Sequence, residues 1–242
     1  MTKHVAPLPD PDGSLLLREL NHRVNNDLTS AICTVSAKAM ESDDAAVKAA
    51  LLDVVDLLHG YADVHKALRM PESGRLTDAA RYLQHLCFSI TKCRLGQLGI
   101  RLLCSADELR LEGERCWKLG LIVSELLINV ARHARFNDGH PEAKVKLLLA
   151  GNVVRCTVSD SGAASDFIVR GRGLTIVSEL AGSLGGHIHA ACAAEGSSFL
   201  LTFPLTEFEQ GAAGATHVVL KRRKRRRSQR LQVPRAEDAA AG

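Results

Sequence analysis

The chain of 242 residues has no apolar run as long as the roughly 20 residues that a membrane-spanning helix needs. Its first residues, MTKHVAPLPDPDG, lack the apolar stretch of a secretory signal. The seven cysteines show no CxxC spacing, which argues against a zinc site or a disulfide framework and for reduced thiols. We also find no internal repeat. These absences predict a soluble, cytoplasmic protein.

The net charge of +4 is unevenly distributed along the chain. Residues 211–242 contain nine Lys or Arg and two acidic residues, a balance of +7, so the first 210 residues carry −3 of the total. The basic pI is therefore due to the tail, and the first 210 residues are mildly acidic. Hydrophobic residues at 46% and charged residues at 24% are typical of a globular protein.

Two long amphipathic helices are predicted near the N-terminus, over residues 14–41 and 44–69. Asp43 and Asp44 lie at the break between them and can cap the second helix. A short connection of this kind predicts an antiparallel helical hairpin. A lone hairpin leaves apolar surface exposed, so we expect two copies to pair as a four-helix bundle. The apolar stripe of the first helix consists of Leu17, Leu20, Val24, Leu28, Ile32 and Val35.

Helices and strands are mixed beyond the turn-like segment MPESG, residues 70–74. Helical patterns cover residues 78–93, 113–134 and 173–184. Strand patterns cover 100–104, 144–150, 152–160, 187–194 and 198–205, and Gly151-Asn152 predicts a hairpin turn. Since some of these strands are joined by hairpins, this half is predicted to be an α/β sandwich. The fold class is thus α+β with two domains.

His22 lies on the polar side of the first helix. At about 100° per residue, it points some 160–200° away from Leu20 and Val24 of the apolar stripe. An exposed imidazole with polar neighbours is what a phosphoryl acceptor requires. The alternative is an ordinary surface histidine, and the helix pattern alone favours that alternative.

Three polar neighbours of His22 have candidate catalytic roles. Glu19, one turn earlier, can accept the Nδ1–H bond or the proton and make Nε2 more nucleophilic. Asn26, one turn later, can hold a water or an acceptor carboxylate, and Arg23 can stabilise phosphate charge.

The helix predicted over residues 113–134 carries a second group of polar residues, in which Glu125, Asn129 and Arg132 share one face. An amide oxygen such as that of Asn129 can ligate Mg²⁺ beneath a nucleotide. Arg132 and His133 then lie where phosphate oxygens would sit. Taken alone, such a face is more often simply solvated.

Glycine turns follow the strand that ends at Asp160. Its carboxylate can accept the adenine amino hydrogens, and Gly162 permits close approach of the base. Gly171-Arg172-Gly173 opens the next helix and offers free backbone N–H groups to phosphates. An Asp at a strand end is usually a turn former, but these parts in this order are specific together.

These residues resemble the core of sensor histidine kinases from two-component systems, in the subfamily whose phosphoacceptor box reads HRxxN. His22-Arg23-Val24-Asn25-Asn26 matches that box, and Glu125 to Ala134 matches the N box. Asp160-Ser161-Gly162 and Gly171-Arg172-Gly173-Leu174 match the two glycine boxes. Leu184-Gly185-Gly186 and Gly196-Ser197-Ser198-Phe199 match the closing strands, and the resemblance covers about residues 14–205.

The resemblance implies a division of the chain and an activity. It implies a dimeric phosphotransfer hairpin, 14–70, followed by an ATP-binding domain of the Bergerat or GHKL type, 75–208. Composition predicts a flexible N-terminus, 1–13, before them, and the loss of periodicity after Phe208 predicts a disordered basic tail, 209–242. ATP and Mg²⁺ would support autophosphorylation of His22, followed by transfer to an aspartate on a response regulator receiver domain.

Individual nucleotide contacts are also implied by the resemblance. Asn129 would be the Mg²⁺ ligand, and Asp160 would bind adenine. The other nucleotide-binding candidates, phosphate contacts among them, are Glu125, Arg132, His133, Gly162, Gly171, Gly173 and Ser198.

The chain departs from the family pattern in three ways. Ala164 stands where the first glycine box usually has its second glycine, and the lid segment between Gly162 and Gly171 is very short. Both changes can weaken ATP binding. Only about 13 residues stand before the hairpin, so we expect the input signal to come from a separate sensory protein or from the termini.

Two other functions remain open at this point. One is a non-catalytic histidine phosphotransfer relay with a degenerate ATP site, which Ala164 favours and Asn129 and Asp160 oppose. The other is a GHKL-type binding protein such as an anti-sigma factor, which would not need a helix carrying His22.

The tail segment KRRKRRR, residues 221–227, cannot pack into a core. It can contact an anionic membrane or nucleic acid, or it can be a solvated tail that keeps the protein soluble. No aromatic residue interleaves it, so base stacking is not expected.

Overall fold

The computed structural model describes residues 11–71, 74–136, 140–162, 172–193 and 196–212. The chain divides into two compact units, the first ending at Pro204 and the second beginning at Leu205. Within the described residues, no helix combines the length and apolarity needed to cross a membrane.

The predicted helical hairpin is confirmed. Helix α1 covers Pro11–Glu41 and packs against helix α2, Ala45–Ala67. Asp44 caps α2, since its Oδ1 accepts hydrogen bonds from the N–H groups of Ala46 at 2.8 Å and Val47 at 3.3 Å. α1 begins three residues earlier than expected, so the predicted flexible segment 1–13 is wrong at its end. Pro11 is the reason, because proline fits the first position of a helix.

Within its described residues, the rest of the first unit contains seven strands and three further α-helices. In chain order they are β1 (Leu76–Asp78), α3 (Ala79–Ile90), β2 (Arg101–Ala106), β3 (Arg110–Glu112), α4 (Gly113–His133), β4 (Glu142–Ala150), β5 (Val153–Asp160), α5 (Arg172–Ser183), β6 (His187–Ala193) and β7 (Gly196–Pro204). A two-stranded antiparallel ribbon pairs β1 with β3. The main sheet has the order β2-β4-β5-β7-β6, in which β2 is parallel to β4 and the other neighbours are antiparallel.

The three helices α3, α4 and α5 pack on one face of the main sheet. Side chains alternate between the two faces of a strand, and the register shows which residues face the helices. In β4 and β5 six of the eight helix-facing positions are buried, Leu149 and Asp160 on that face are half-buried, and the positions between them are exposed or half-buried. The α/β sandwich predicted for this half is therefore confirmed, with one covered face and one open face. The buried positions are Ala143, Val145, Leu147, Val154, Cys156 and Val158.

Two short features of this half were not predicted. Strands β1 and β3 have three residues each, too few to show an alternating pattern. The helix predicted over 78–93 leaves α-geometry after Ile90 and continues as a π-helical turn, Thr91–Leu95, and a 3₁₀ turn, Gly96–Leu98. Gly99 ends this segment at φ 68°, a left-handed conformation that glycine adopts at little cost.

In the second unit, the described residues 207–212 are helical. Thr206 and Glu209 form a reciprocal cap, because the Thr206 N–H donates to Glu209 Oε2 at 2.9 Å and the Glu209 N–H donates to Thr206 Oγ1 at 3.3 Å. The prediction of a disordered tail from residue 209 is thus wrong at its start. Residues 213–242, with the basic segment, lie outside the described residues.

Candidate functional site

His22 is exposed on α1, as its position opposite the apolar stripe predicted. Its neighbour Glu19 accepts a hydrogen bond through Oε1 from Arg23 Nε at 3.0 Å. Both side chains are largely exposed, and ion pairs four residues apart are favourable on a helix surface. Arg23 thus occupies one oxygen of the Glu19 carboxylate, and the role of Glu19 toward the His22 ring stays a prediction.

Asn26 is exposed one turn after His22. Thr29, on the same side of α1, directs its hydroxyl to the Asn25 carbonyl at 2.8 Å, so it is bound to the helix backbone. Around His22, this side of α1 therefore carries the Glu19–Arg23 ion pair, the Thr29 hydroxyl bonded to the helix backbone, and the exposed Asn26 amide.

Helix α4 is amphipathic in the way the sequence predicted. Glu125 and Asn129 are half-buried one turn apart, whereas Arg132 and His133 at its end are exposed. The opposite side of α4 is buried in the core, which fixes the rotation of the helix and hence the direction of Glu125 and Asn129. Its buried residues include Leu119, Ile122, Val123, Leu126, Leu127 and Val130.

Glu125 lies directly against the first turn of α5. A Cβ atom built on Gly173 would stand only 2.0 Å from Glu125 Oε1. Any side chain at residue 173 would therefore displace the Glu125 carboxylate. The absence of a side chain lets the N-terminus of α5 approach α4, and Glu125 lies at this junction.

Asp160 ends β5 on the face of the sheet that the helices cover. Its Oδ1 accepts a hydrogen bond from the Gly162 N–H at 2.9 Å. Burial raises the pKa of the Asp160 carboxyl, and hydrogen bonds from the Gly162 N–H and from the N–H and hydroxyl of Ser197 act against that rise. A partly buried carboxylate with several donors is held in one orientation.

Because Gly162 has no side chain, the residues that follow α4 can lie close to the Asp160 carboxylate. A Cβ atom at Gly162 would stand 3.0 Å from Ala134 Cβ and 3.1 Å from the Arg135 nitrogen. Gly196, at φ 142°, makes a similar approach on the other side, since a Cβ atom there would lie 2.0 Å from the Asp160 carbonyl oxygen. The glycines thus allow three segments of backbone to meet around Asp160.

Ser198 does not share this site. It pairs with Ser159, and alternation along the strand directs its side chain to the open face, away from Asp160. We therefore correct the assignment of Ser198 to Ser197, the neighbour that bonds the Asp160 carboxylate. The sequence offers two adjacent serines here, and only the register of β7 against β5 separates them.

The described parts of the nucleotide motifs converge on one region, at the junction of α4, the end of β5 and the start of α5. Glu125 meets Gly173, the end of α4 meets Gly162, and Asp160 meets Ser197. Gly171 and Ala164, together with the short lid segment, lie outside the described residues. The region offers carboxylate and amide oxygens, backbone N–H groups and two exposed basic side chains from α4.

Two protein families match the chain. Residues 19–94 match the family described as histidine kinase, and residues 88–197 match the histidine kinase-like ATPase domain. Together the matches run from residue 19 to residue 197, and they contain both His22 and the region around Asp160.

A curated relative is blue-light-activated histidine kinase 2 of Erythrobacter litoralis. It is 24% identical over 203 residues, which is 79% of this chain and 57% of the relative. The chain thus spans little more than half the length of that relative.

A solved structure, the histidine kinase domain of a blue-light activated histidine kinase from Erythrobacter litoralis, has a similar fold. The TM-score is 0.53 at 18% identity, and the match covers 74% of this chain and 96% of that one.

Proposed function

The chain belongs to the histidine kinases, as a sensor histidine kinase core with a GHKL-type ATPase domain, and from that premise we propose that it phosphorylates its own His22 from Mg-ATP. The phosphoryl group would then pass to an aspartate on the receiver domain of a response regulator. The observation that carries the proposal is that one chain contains an exposed histidine on α1 and, separately, the convergent region around Glu125, Asn129 and Asp160.

The ATPase domain implies ATP binding, and the residues of the convergent region fit a nucleotide. Asp160 supplies a carboxylate, held by Gly162 and Ser197, that can accept hydrogens from the adenine amino group. Arg132 and His133, exposed at the end of α4, can contact phosphate oxygens. The first turn of α5 at Gly173 supplies backbone N–H groups.

Mg²⁺ fits the oxygen donors of α4. We assign the Asn129 amide oxygen as its protein ligand, with Glu125 one turn earlier on the same face. A magnesium ion held there would supply positive charge to offset the charge that develops on the transferred phosphoryl group. Glu125 is positioned against Gly173 and thereby orders the junction at which phosphates would bind.

On the hairpin, the chain supplies a nucleophile and its surroundings. The exposed His22 ring is accessible to a donor and to a receiver domain. Arg23 lies beside it and can stabilise phosphate charge, although it is paired with Glu19 in this structure. If Arg23 left Glu19 to bind an incoming phosphate, the Glu19 carboxylate would be free to accept a hydrogen bond from the Nδ1–H of His22.

We further propose that the hairpin dimerises. Apolar side chains of α1 and α2 remain exposed, with Leu20 at 50%, Val47 at 47% and Val54 at 43%. Burying such side chains contributes about 25 cal/mol per Å² of apolar surface. Pairing with the hairpin of a second copy would cover them as a four-helix bundle.

The proposal is tested by changing the region around Asp160 without touching His22. Asn129→Asp and Asp160→Asn should each abolish labelling of the protein from γ-labelled ATP and Mg²⁺. Asp53→Asn, at an exposed position on α2, is the matched control and should label like the wild type. Normal labelling of both site variants would mean that this region is not the ATP site.

A second measurement separates the kinase from a phosphotransfer relay. A phosphorylated receiver domain should pass phosphate back to His22 in the wild type and in Asn129→Asp alike. Back-transfer together with a complete absence of ATP binding in the wild type would identify a relay instead.

A further inference from the structure

The main sheet has one face that no helix of the described residues covers. It consists of alternate residues of all five strands, and we call it the open face. All three helices of this half contact the opposite side, so the sandwich has two layers where many α/β folds have three. The open face is formed by Arg101, Leu103, Ser105, Glu142, Lys144, Lys146, Leu148, Val153, Arg155, Thr157, Ser159, Ser198, Leu200, Thr202, His187, His189 and Ala191.

The charge of the open face is mostly positive, although the first 210 residues of the chain are net acidic. Four cations and one carboxylate lie on it. Glu142 accepts from Lys144 Nζ at 2.7 Å and also pairs with Arg101, so these three charges partly cancel at one end. Those two bonds, the Lys144 bond first, lower the pKa of the Glu142 carboxyl.

Lys146 and Arg155 are the free cations of this face. Both are exposed, and neither makes an ion pair or hydrogen bond within the described part of the chain. They stand on neighbouring strands, since Lys146 pairs with Thr157 and Arg155 pairs with Leu148. They are therefore diagonal neighbours across an antiparallel pair, which lie about 7–8 Å apart, so the two charges form one local cluster.

Apolar side chains surround this pair. Leu103 is 43% exposed and Val153 is 40% exposed, and Leu148 and Leu200 are half-buried. Hydroxyl groups of Thr157 and Thr202 fill the positions between them. A partner that suits this surface needs apolar side chains and carboxylates on the same side.

We propose that the open face is a docking site for an acidic amphipathic helix of another protein, which would add a third layer to the sandwich. Helices commonly pack on a sheet through an apolar stripe, and carboxylates at the margin of that stripe would pair with Lys146 and Arg155. Within the described residues, the aromatic rings of this face are those of His187 and His189 on the edge strand β6, which pack edge to face against each other. The side chains around Lys146 and Arg155 are apolar or hydroxylic instead, which favours a protein partner over single-stranded nucleic acid. The proposal does not depend on the kinase activity proposed above.

The test uses the full chain and a fluorescent synthetic peptide that forms a helix with leucines on one side and glutamates beside them. Anisotropy should report saturable binding to the wild type. Lys146→Glu combined with Arg155→Glu should weaken binding about tenfold or more, because attraction becomes repulsion at two positions. The matched control reverses Arg81 and Arg110, exposed cations on α3 and β3, and should change the affinity by less than about twofold.

Three results would overturn the proposal. The first is equal binding to both double variants, each shown by circular dichroism to be folded. The second is equal binding of a peptide of the same composition whose leucines do not lie on one side, since charge alone would then explain it. The third is binding of single-stranded DNA but not of the peptide, which would identify a nucleic-acid surface. Amide chemical-shift changes confined to open-face residues, with Leu103 and Thr157 among them, would support it directly.

Discussion

The helical hairpin and the ATPase half bury their apolar side chains to very different extents. In α1 and α2 most stripe residues are half-buried or exposed. Their buried positions hold nothing larger than valine: Ala39, Val55, Gly60 and Ala67. In the ATPase half, large side chains such as Leu119, Leu127 and Phe203 are completely buried.

The two regions therefore differ in whether one chain alone can bury their apolar side chains. The ATPase half closes its own core between the sheet and the helices α3, α4 and α5, so a single chain is enough. The hairpin has only two helices and leaves apolar side chains of its stripe exposed, which the proposed dimer would cover. The predictions that follow test this contrast.

The largest effect is expected in the closed core. Leu119→Ala removes a side chain that is 0% exposed and should lower the free energy of unfolding by about 2–5 kcal/mol. The control is Leu98→Ala at a position that is 53% exposed, which should change it by less than about 0.5 kcal/mol. Denaturant unfolding measures both, and similar losses would show that this core is not tightly packed.

A smaller loss is expected where α3 and α4 meet. A Cβ atom at Gly120 would stand 2.6 Å from Tyr82 Cε1, so Gly120→Ala should cost about 1–3 kcal/mol through overpacking. The Tyr82 hydroxyl is buried and has no hydrogen-bond partner among the residues that the structure describes, and burial raises its pKa. Tyr82→Phe should therefore be neutral or raise Tm, whereas a marked drop in Tm would reveal a partner for this hydroxyl.

In the hairpin the effect should depend on protein concentration. Leu20→Ala removes a side chain that is 50% exposed in one chain and covered in the proposed dimer. Dimer dissociation should become about tenfold easier for each 1.4 kcal/mol of lost contact. Sedimentation velocity measures this, with Leu98→Ala again as the control. A monomeric wild type at all concentrations would contradict the comparison.

The smallest effect concerns Asp160 and pH. Its pKa is raised in the folded state, so the folded protein binds a proton more readily than the unfolded chain. Stability should fall as pH rises from about 3.9, the usual pKa of Asp, through the raised value. Asp160→Asn should thus be slightly more stable than the wild type at pH 7, with the difference vanishing in acid. A less stable variant at pH 7 would show that the hydrogen bonds outweigh the burial.

Long periodic segments were predictable from the sequence because several turns of helix or several alternating residues repeat one pattern. The hairpin, α4 and the central strands are of this kind. The three-residue strands β1 and β3 carry too little pattern, and nothing in TKCRL distinguishes a π-helical turn from an α-helix. The helical residues 207–212 were predictable, because Thr206 followed three residues later by Glu209 is the sequence signature of a helix cap. The basic segment further along the chain led instead to the prediction of a disordered tail.

At the candidate site, the sequence identified the motifs but not their contacts. The approach of Glu125 to Gly173 depends on how α5 packs, which no local pattern contains. The choice of Ser197 over Ser198 depends on strand register, where one residue reverses the face. Glu19 was assigned to His22 on spacing, yet Arg23 lies at an equally favourable distance and carries the opposite charge.

The account depends most on His22 as the acceptor of phosphate from ATP held by the ATPase half. The direct measurement is incubation of the full chain with γ-labelled ATP and Mg²⁺, followed by site mapping of acid-labile, base-stable label. The wild type and His59→Gln, an exposed histidine on α2, should carry label on His22, and His22→Gln should carry none. Label that persists in a folded His22→Gln protein, or label mapped to another residue, would contradict the account.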